Sequence, residues 1–173
     1  MLTGKNYIAG EWRNGNRTFS AVEAASGDKL DPEFAEASKS DVADACAAAA
    51  EAQKVFGSVA LDKRAAFLRL AADKIDALGD TLTQRAMAES GLPEARLNGE
   101  RGRTVGQLRL FASVAEDGSW VDARIDHADP DRAPVPKPDT RSMERPLGPV
   151  AVFCASNFPI AFSVAGGDTA AAL

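Results

Sequence analysis

Gly148-Pro149-Val150-Ala151-Val152-Phe153-Cys154-Ala155-Ser156-Asn157-Phe158-Pro159 is the stretch on which the fold of this chain turns. Residues 150–155 are apolar without interruption and without alternation, the pattern of a strand covered on both faces in a parallel sheet. Ser156 and Asn157 then mark a polar turn, and beyond Pro159 residues 160–173 read as a helix. A buried strand feeding a turn and a helix is the unit of an α/β fold. Asn157 stands at the carboxyl end of that strand, where ligands bind in open α/β sheets, and its amide can donate a hydrogen bond to a ligand oxygen.

Upstream the character of the chain changes. Residues 126–131 are acidic, and Pro130, Pro134, Pro136 and Pro138 exclude a helix. Residues 141–145 alternate loosely, like an exposed strand. Earlier still, four helices are expected. Ser38 with Asp41 three residues on suits an N-cap, and Val42, Ala45, Cys46, Ala49, Gln53 and Phe56 recur at helical spacing until Gly57. Cys46 is expected to pack in that stripe as a small hydrophobe. A second helix over about 61–78 places Ala65, Leu68, Ala72 and Ile75 on one face and ends at Gly79. Asp80 is expected to cap a third, which runs to Gly91. Pro93 suits the first turn of the fourth, where Leu97, Thr104, Leu108, Phe111 and Ala115 form a stripe toward Asp117-Gly118. The opening residues 6–13 suit a β-hairpin turning at Ala9-Gly10, followed by a short strand over 18–22 and local pairing at 34–37. This opening reads as a surface arm without ligand contacts.

The fourth helix carries Arg96, Arg101, Arg103 and Arg109 interrupted by Gly99, Gly102 and Gly106. Each glycine costs a helix about 1 kcal/mol against alanine, so something is expected to approach closely. Two readings stand: another helix packs there, with the arginines paired to Glu94 and Glu100, or the cluster holds an anion.

A length of 173 residues fits one domain, and 45% apolar content is ordinary for a chain with a core. Twenty basic residues against 25 acidic ones give a net charge of −5. The basic residues are dispersed, which argues against a nucleic-acid partner and for small-molecule chemistry. Cys46 and Cys154 both lie in apolar stretches, and no signal peptide or membrane-length apolar run is present in the sequence. A reducing cytoplasm, no disulfide and no membrane association are expected. His127 is the single histidine, and no Cys/His cluster offers metal ligands.

The sequence resembles the aldehyde dehydrogenases, and within them the branch that oxidises 2,5-dioxopentanoate, the semialdehyde of α-ketoglutarate. The resemblance begins at Gly4-Lys5-Asn6-Tyr7-Ile8, continues through Arg96-Leu97-Asn98-Gly99-Glu100-Arg101-Gly102-Arg103-Thr104, and is most specific from Ala155-Ser156-Asn157-Phe158-Pro159 to Gly166-Gly167-Asp168-Thr169. It implies a Rossmann-like α/β architecture in three parts. Residues 1–122 would be the hairpin and four helices of the cofactor-binding domain, 123–146 a β-arm for oligomerisation, and 147–173 the first strand and following helix of the dinucleotide-binding sheet. It implies NAD or NADP as cofactor, a small-molecule aldehyde as substrate and a homo-oligomer, dimer or tetramer. Asn157 would be the side-chain donor of the oxyanion hole. Phe153, Cys154, Ala155 and Ser156 would border the cofactor, and Phe158 and Phe162 would wall the substrate tunnel. Arg103 would face that tunnel, where a guanidinium can hold a carboxylate bidentately.

Two departures bear on this. The chain stops short of where the family carries its catalytic cysteine and general-base glutamate, so a fragment is expected, inactive by itself until the remaining C-terminal part joins it. Cys154 stands where relatives have glycine or another small residue and is not the nucleophile. There is no Gly-x-Gly-x-x-Gly fingerprint in the chain. The competing reading from another class is a non-catalytic helical assembly module on the same fold, and a third is a nucleotide-binding module of different activity.

Overall fold

The computed structural model of the chain describes residues 2–173. It opens on a hairpin in which β1 (Asn6–Ile8) runs antiparallel to β2 (Glu11–Arg13), with Tyr7 opposite Trp12 and Ile8 opposite Glu11. The two connecting residues, Ala9 and Gly10, have φ of 52° and 85°. Positive φ at both positions matches the twist of a two-residue hairpin, and glycine supplies it without a steric penalty. Tyr7 and Trp12 reinforce the pairing, their ring centroids 4.8 Å apart. A second antiparallel pair follows, β3 (Thr18–Val22) with β4 (Lys29–Ala35), in which Phe19 stacks on Phe34 at 5.7 Å.

The first helix, α1 (Lys39–Phe56), begins at the expected cap. The Ser38 hydroxyl accepts from the Asp41 N–H at 3.1 Å while the Asp41 carboxylate accepts from the Ser38 N–H at 2.9 Å, a reciprocal capping box. The Ser38 hydroxyl also donates to that carboxylate and, as the leading cause, holds it below the ordinary aspartate range. The apolar stripe of α1, however, is not buried. No residue of this 18-residue helix is buried, Cys46 is exposed and so is Val42. Most of the stripe is small or polar, Ala45, Cys46, Ala49 and Gln53, and its chief neighbour is the three-residue β1, too small to cover it. Cys46 is therefore a surface thiol rather than a core residue.

The core lies between α2 (Leu61–Asp76) and α4 (Glu94–Asp117). Ala65, Leu68 and Ala72 of α2 meet Val105, Leu108 and Ala112 of α4, and Ala170 of the short terminal α5 (Gly167–Ala172) joins them, with Ile75 and Phe111 packed at the margin. Alanines at the crossing let the two backbones approach, and burial of a leucine such as Leu68 or Leu97 stabilises by about 1.5–3 kcal/mol. Ion pairs Arg69–Glu116 and Arg109–Asp73 link the same helices at the surface. Being exposed and screened, they add little beside the core, although the hydrogen bond from Arg69 lowers the Glu116 carboxyl below its usual range.

Two helix starts differ from expectation. α3 (Gly79–Ser90) has Leu78 at its N-cap and no side-chain cap, so Asp80 lies within the first turn and does not cap. Pro93 is the N-cap of α4 rather than a residue of its first turn. α3 closes at Gly91 in the left-handed conformation. After a 3-10 turn at Ser119–Val121, β5 (Arg124–Asp126) pairs with β6 (Thr140–Ser142), Arg124 opposite Ser142, to form an arm whose strand residues are all exposed. His127 lies on this arm in solvent, 3.9 Å from Asp139.

Residues 150–155 form no strand. Every strand pairing among the described residues is antiparallel, and none includes this segment. Val150 is 63% exposed and Phe153 87% exposed. A strand exists by hydrogen bonding to a neighbour, and no described segment lies alongside to provide one. The helix expected over 160–173 is likewise reduced to α5, because residues 158–165 fold into successive turns. Among the described residues, no helix is long and apolar enough to cross a membrane.

Candidate functional site

Three residues spaced by four on α4, Arg96, Glu100 and Thr104, share one face of the helix. Glu100 is 4% exposed. Its Oε2 accepts from the backbone N–H of Ile160 at 3.1 Å and of Ala161 at 3.3 Å. Its Oε1 accepts from Arg96 Nε at 3.2 Å, and Arg96 Nη2 donates to the Asn157 carbonyl at 2.6 Å. One turn further on, the Thr104 hydroxyl donates to the Glu100 carbonyl at 3.1 Å and to the Ile160 carbonyl at 3.2 Å. The turn at 157–161 is thus fastened to α4 at both ends. Bonds to a charged partner contribute about 1.5–3 kcal/mol each, and they offset the cost of burying the carboxylate.

Within the turn the backbone closes on itself. Ala155 N–H donates to the Phe162 carbonyl at 3.0 Å, Phe158 N–H to the Ala155 carbonyl at 3.2 Å, and Gly167 N–H to the Ala161 carbonyl at 3.0 Å. Gly166 admits no side chain, since a Cβ there would stand 2.4 Å from the Ala161 carbonyl oxygen and 2.8 Å from the Ser163 nitrogen. Phe158 and Phe162 meet edge to face at 5.5 Å. Arg96 lies over Phe158 at 5.0 Å, and Arg103 lies over Phe162 at 4.9 Å and over Phe158 at 6.0 Å. Each such contact stabilises by about 0.5–1 kcal/mol at an exposed site.

Beside this turn is an open cleft of about 1000 Å³, bounded on one side by Glu89, Ser90 and Leu92 and on the other by residues of the 154–164 segment. Of the residues singled out in the sequence, Cys154, Ala155, Ser156, Asn157, Phe158 and Phe162 line it. Phe153 does not, and lies in solvent. Arg103 sits on the two rings and is not among the lining residues; the guanidinium that lines the cleft is that of Arg96. The reading in which the arginines pair with Glu94 and Glu100 holds only in part. Arg96 pairs with Glu100 as expected, but Arg101 and Arg109 pair with Asp76 and Asp73 of α2, and Glu94 takes no part. A Cβ at Gly99, Gly102 or Gly106 would meet nothing within 4 Å, so no close approach explains these glycines among the described residues. The sequence offers Glu100 only as an ion-pair partner and Thr104 only as a stripe member, so their hold on the turn is missed; the available signal is two polar side chains at i and i+4 among Leu97, Leu108, Phe111 and Ala115.

A family profile described as "Aldehyde dehydrogenase family" matches residues 12–173, and the chain belongs to that family. It is 53% identical over its whole length to alpha-ketoglutaric semialdehyde dehydrogenase 2 of Azospirillum brasilense, covering 33% of that protein. It is 44% identical, over 98% of its length, to alpha-ketoglutaric semialdehyde dehydrogenase of Acinetobacter baylyi, covering 32% of it. The chain therefore spans about a third of the length of the curated relatives it matches. Among solved structures, a betaine aldehyde dehydrogenase of Staphylococcus aureus in complex with NAD+ shares the fold over 92% of this chain and 31% of its own, with a TM-score of 0.77 at 20% identity.

The contacts of the turn make a paired prediction. Gly166→Ala forces a Cβ against backbone atoms and is expected to destabilise the chain by about 1–3 kcal/mol. Gly102→Ala, exposed in mid-helix with open space beside it, is expected to stabilise by about 0.5–1 kcal/mol. Urea unfolding of the two variants measures both, and equal shifts would contradict the tight seating of the turn.

Proposed function

We propose that this chain supplies the oxyanion donor and one wall of the substrate site of an NAD(P)-dependent aldehyde dehydrogenase, with α-ketoglutarate semialdehyde as the substrate. The observation that carries the reading is Asn157, exposed on the edge of the cleft with its backbone fastened to α4 and two phenylalanines beside it. As a nucleophile attacks an aldehyde, the carbonyl oxygen becomes an anion, and an amide N–H donor fixed in place stabilises it electrostatically. Phe158 and Phe162 wall off water from the reacting carbon. Among the described residues Arg103 is the arginine of the α4 cluster that has no carboxylate partner, its guanidinium held against the rings. It is suited to the carboxylate end of an acidic aldehyde. The names of the two curated relatives support that substrate.

The residues present fit a dinucleotide lying along the segment. Cys154, Ala155 and Ser156 carry small side chains, and the backbone of Phe153 and Cys154 makes no hydrogen bond among the described residues. When bound, the nicotinamide supplies the hydride acceptor; this chain's part is to hold it against 153–156 and to stabilise the oxyanion. The β5–β6 arm, exposed on every strand residue, is the surface for homo-oligomer assembly, and the cytoplasm is the compartment.

The test uses a chimaera that joins residues 1–173 to the remaining two-thirds of the Azospirillum brasilense relative. Asn157→Ala is expected to lower kcat for α-ketoglutarate semialdehyde by about 10²-fold with cofactor affinity unchanged. An unchanged kcat removes Asn157 from the mechanism. Arg103→Met is expected to raise KM for the acidic aldehyde by the equivalent of about 1.5–3 kcal/mol and to spare neutral aldehydes. Equal losses on both substrate types would make Arg103 a structural residue.

A further inference from the structure

We infer that Glu100 is a positioning residue for the oxyanion donor: through Arg96 and through two backbone N–H groups, its buried carboxylate sets the direction of the Asn157 amide. The inference rests on the assignment of Asn157 as that donor. The Asn157 side chain makes no hydrogen bond among the described residues, so its direction is set by its own backbone and rotamer. That backbone is held at two points. Arg96 grips the Asn157 carbonyl at 2.6 Å, and Glu100 takes the N–H groups of Ile160 and Ala161, three and four residues on. Both grips pass through one carboxylate, because Arg96 is itself oriented by Glu100 Oε1.

A packing role does not account for this residue. At 4% exposure an apolar side chain of similar volume would fill the space without the penalty of burying a charge. What a carboxylate alone provides is acceptors in two directions, one for the turn and one for the guanidinium. Glutamine keeps an acceptor for the Ile160 and Ala161 N–H groups but turns an NH₂ donor toward the Arg96 donor. Aspartate is shorter by a methylene and cannot reach the turn from the same helix. Glu100→Gln therefore leaves the volume and the backbone cap and loosens the grip on Asn157.

A double-mutant cycle in the chimaera reads the effect. Glu100→Gln is expected to lower kcat about 10- to 100-fold, the cost of a small displacement of a catalytic group, with KM and cofactor Kd within about twofold. In the Asn157→Ala background the same change is expected to lower kcat by less than about twofold, because residues that act through one another are not additive. A full and additive loss in that background, or a Glu100→Gln enzyme with unchanged kcat, overturns the inference while leaving Asn157 as donor. No loss on Asn157→Ala alone overturns both. Should Glu100→Gln fail to fold, Arg96→Gln keeps the cap on Ile160 and Ala161 and removes the grip on Asn157 together with the contact to the Phe158 ring, and the same non-additivity is expected of it.

Discussion

A carboxylate buried to 4% exposure, accepting hydrogen bonds from two backbone amides and a guanidinium, is the constraint on which the rest of this structure depends. A carboxylate shielded from water costs stability unless hydrogen-bond donors replace the lost water, and the turn at 157–161 together with Arg96 supplies three of them. The irregular stretch from Pro149 to Val164 is bonded to α4 at residues 157–161, and that place holds Asn157. Thr104 adds the acceptor side of the same attachment by donating to the Ile160 carbonyl. Polar groups in the turn are thus satisfied by a helix rather than by neighbouring strands.

The attachment is only as firm as α4, and α4 is positioned by the apolar contact with α2. Leu68, Val105 and Leu108 bury against the alanines of the crossing, and α5 returns to the same cluster through Ala170. The turn is therefore tied to one core from two directions, by polar bonds on its amino-terminal side and by an apolar contact after Gly166-Gly167. By contrast the hairpins, α1 and the β5–β6 arm lie outside this core. Local devices, a capping box at Ser38, the Tyr7–Trp12 pair and the Phe19–Phe34 stack, are joined there by polar contacts between elements, Arg13 with Asp44 and Arg85 with the Asp31 carbonyl.

What could be read from the sequence follows the same division. Helices α1 to α4 were legible because caps, glycines and apolar periodicity are local signals, and the stripe Ala65, Leu68, Ala72 fell where the core is. The hairpin turn at Ala9-Gly10 was legible for the same reason. The segment 150–155 misled because a run of apolar residues records a demand for burial and pairing, and within the described residues nothing meets that demand. Cys46 misled because periodicity identifies a stripe but not whether a partner large enough covers it. The cleft residues Asn157, Phe158 and Phe162 came from a motif. Glu100, which holds them, was read only as an ion-pair partner, because its buried state depends on a contact 60 residues away in sequence.

Amide hydrogen exchange on the 173-residue chain, resolved by NMR, tests the central claim most directly. If the turn hangs from Glu100, the Ile160 and Ala161 amides are protected to the degree of the α4 core amides at Val105 and Leu108, while Phe153 and Cys154, which make no hydrogen bond among the described residues, exchange at open-chain rates. Exchange of Ile160 and Ala161 as fast as that of Phe153 and Cys154 would contradict the account.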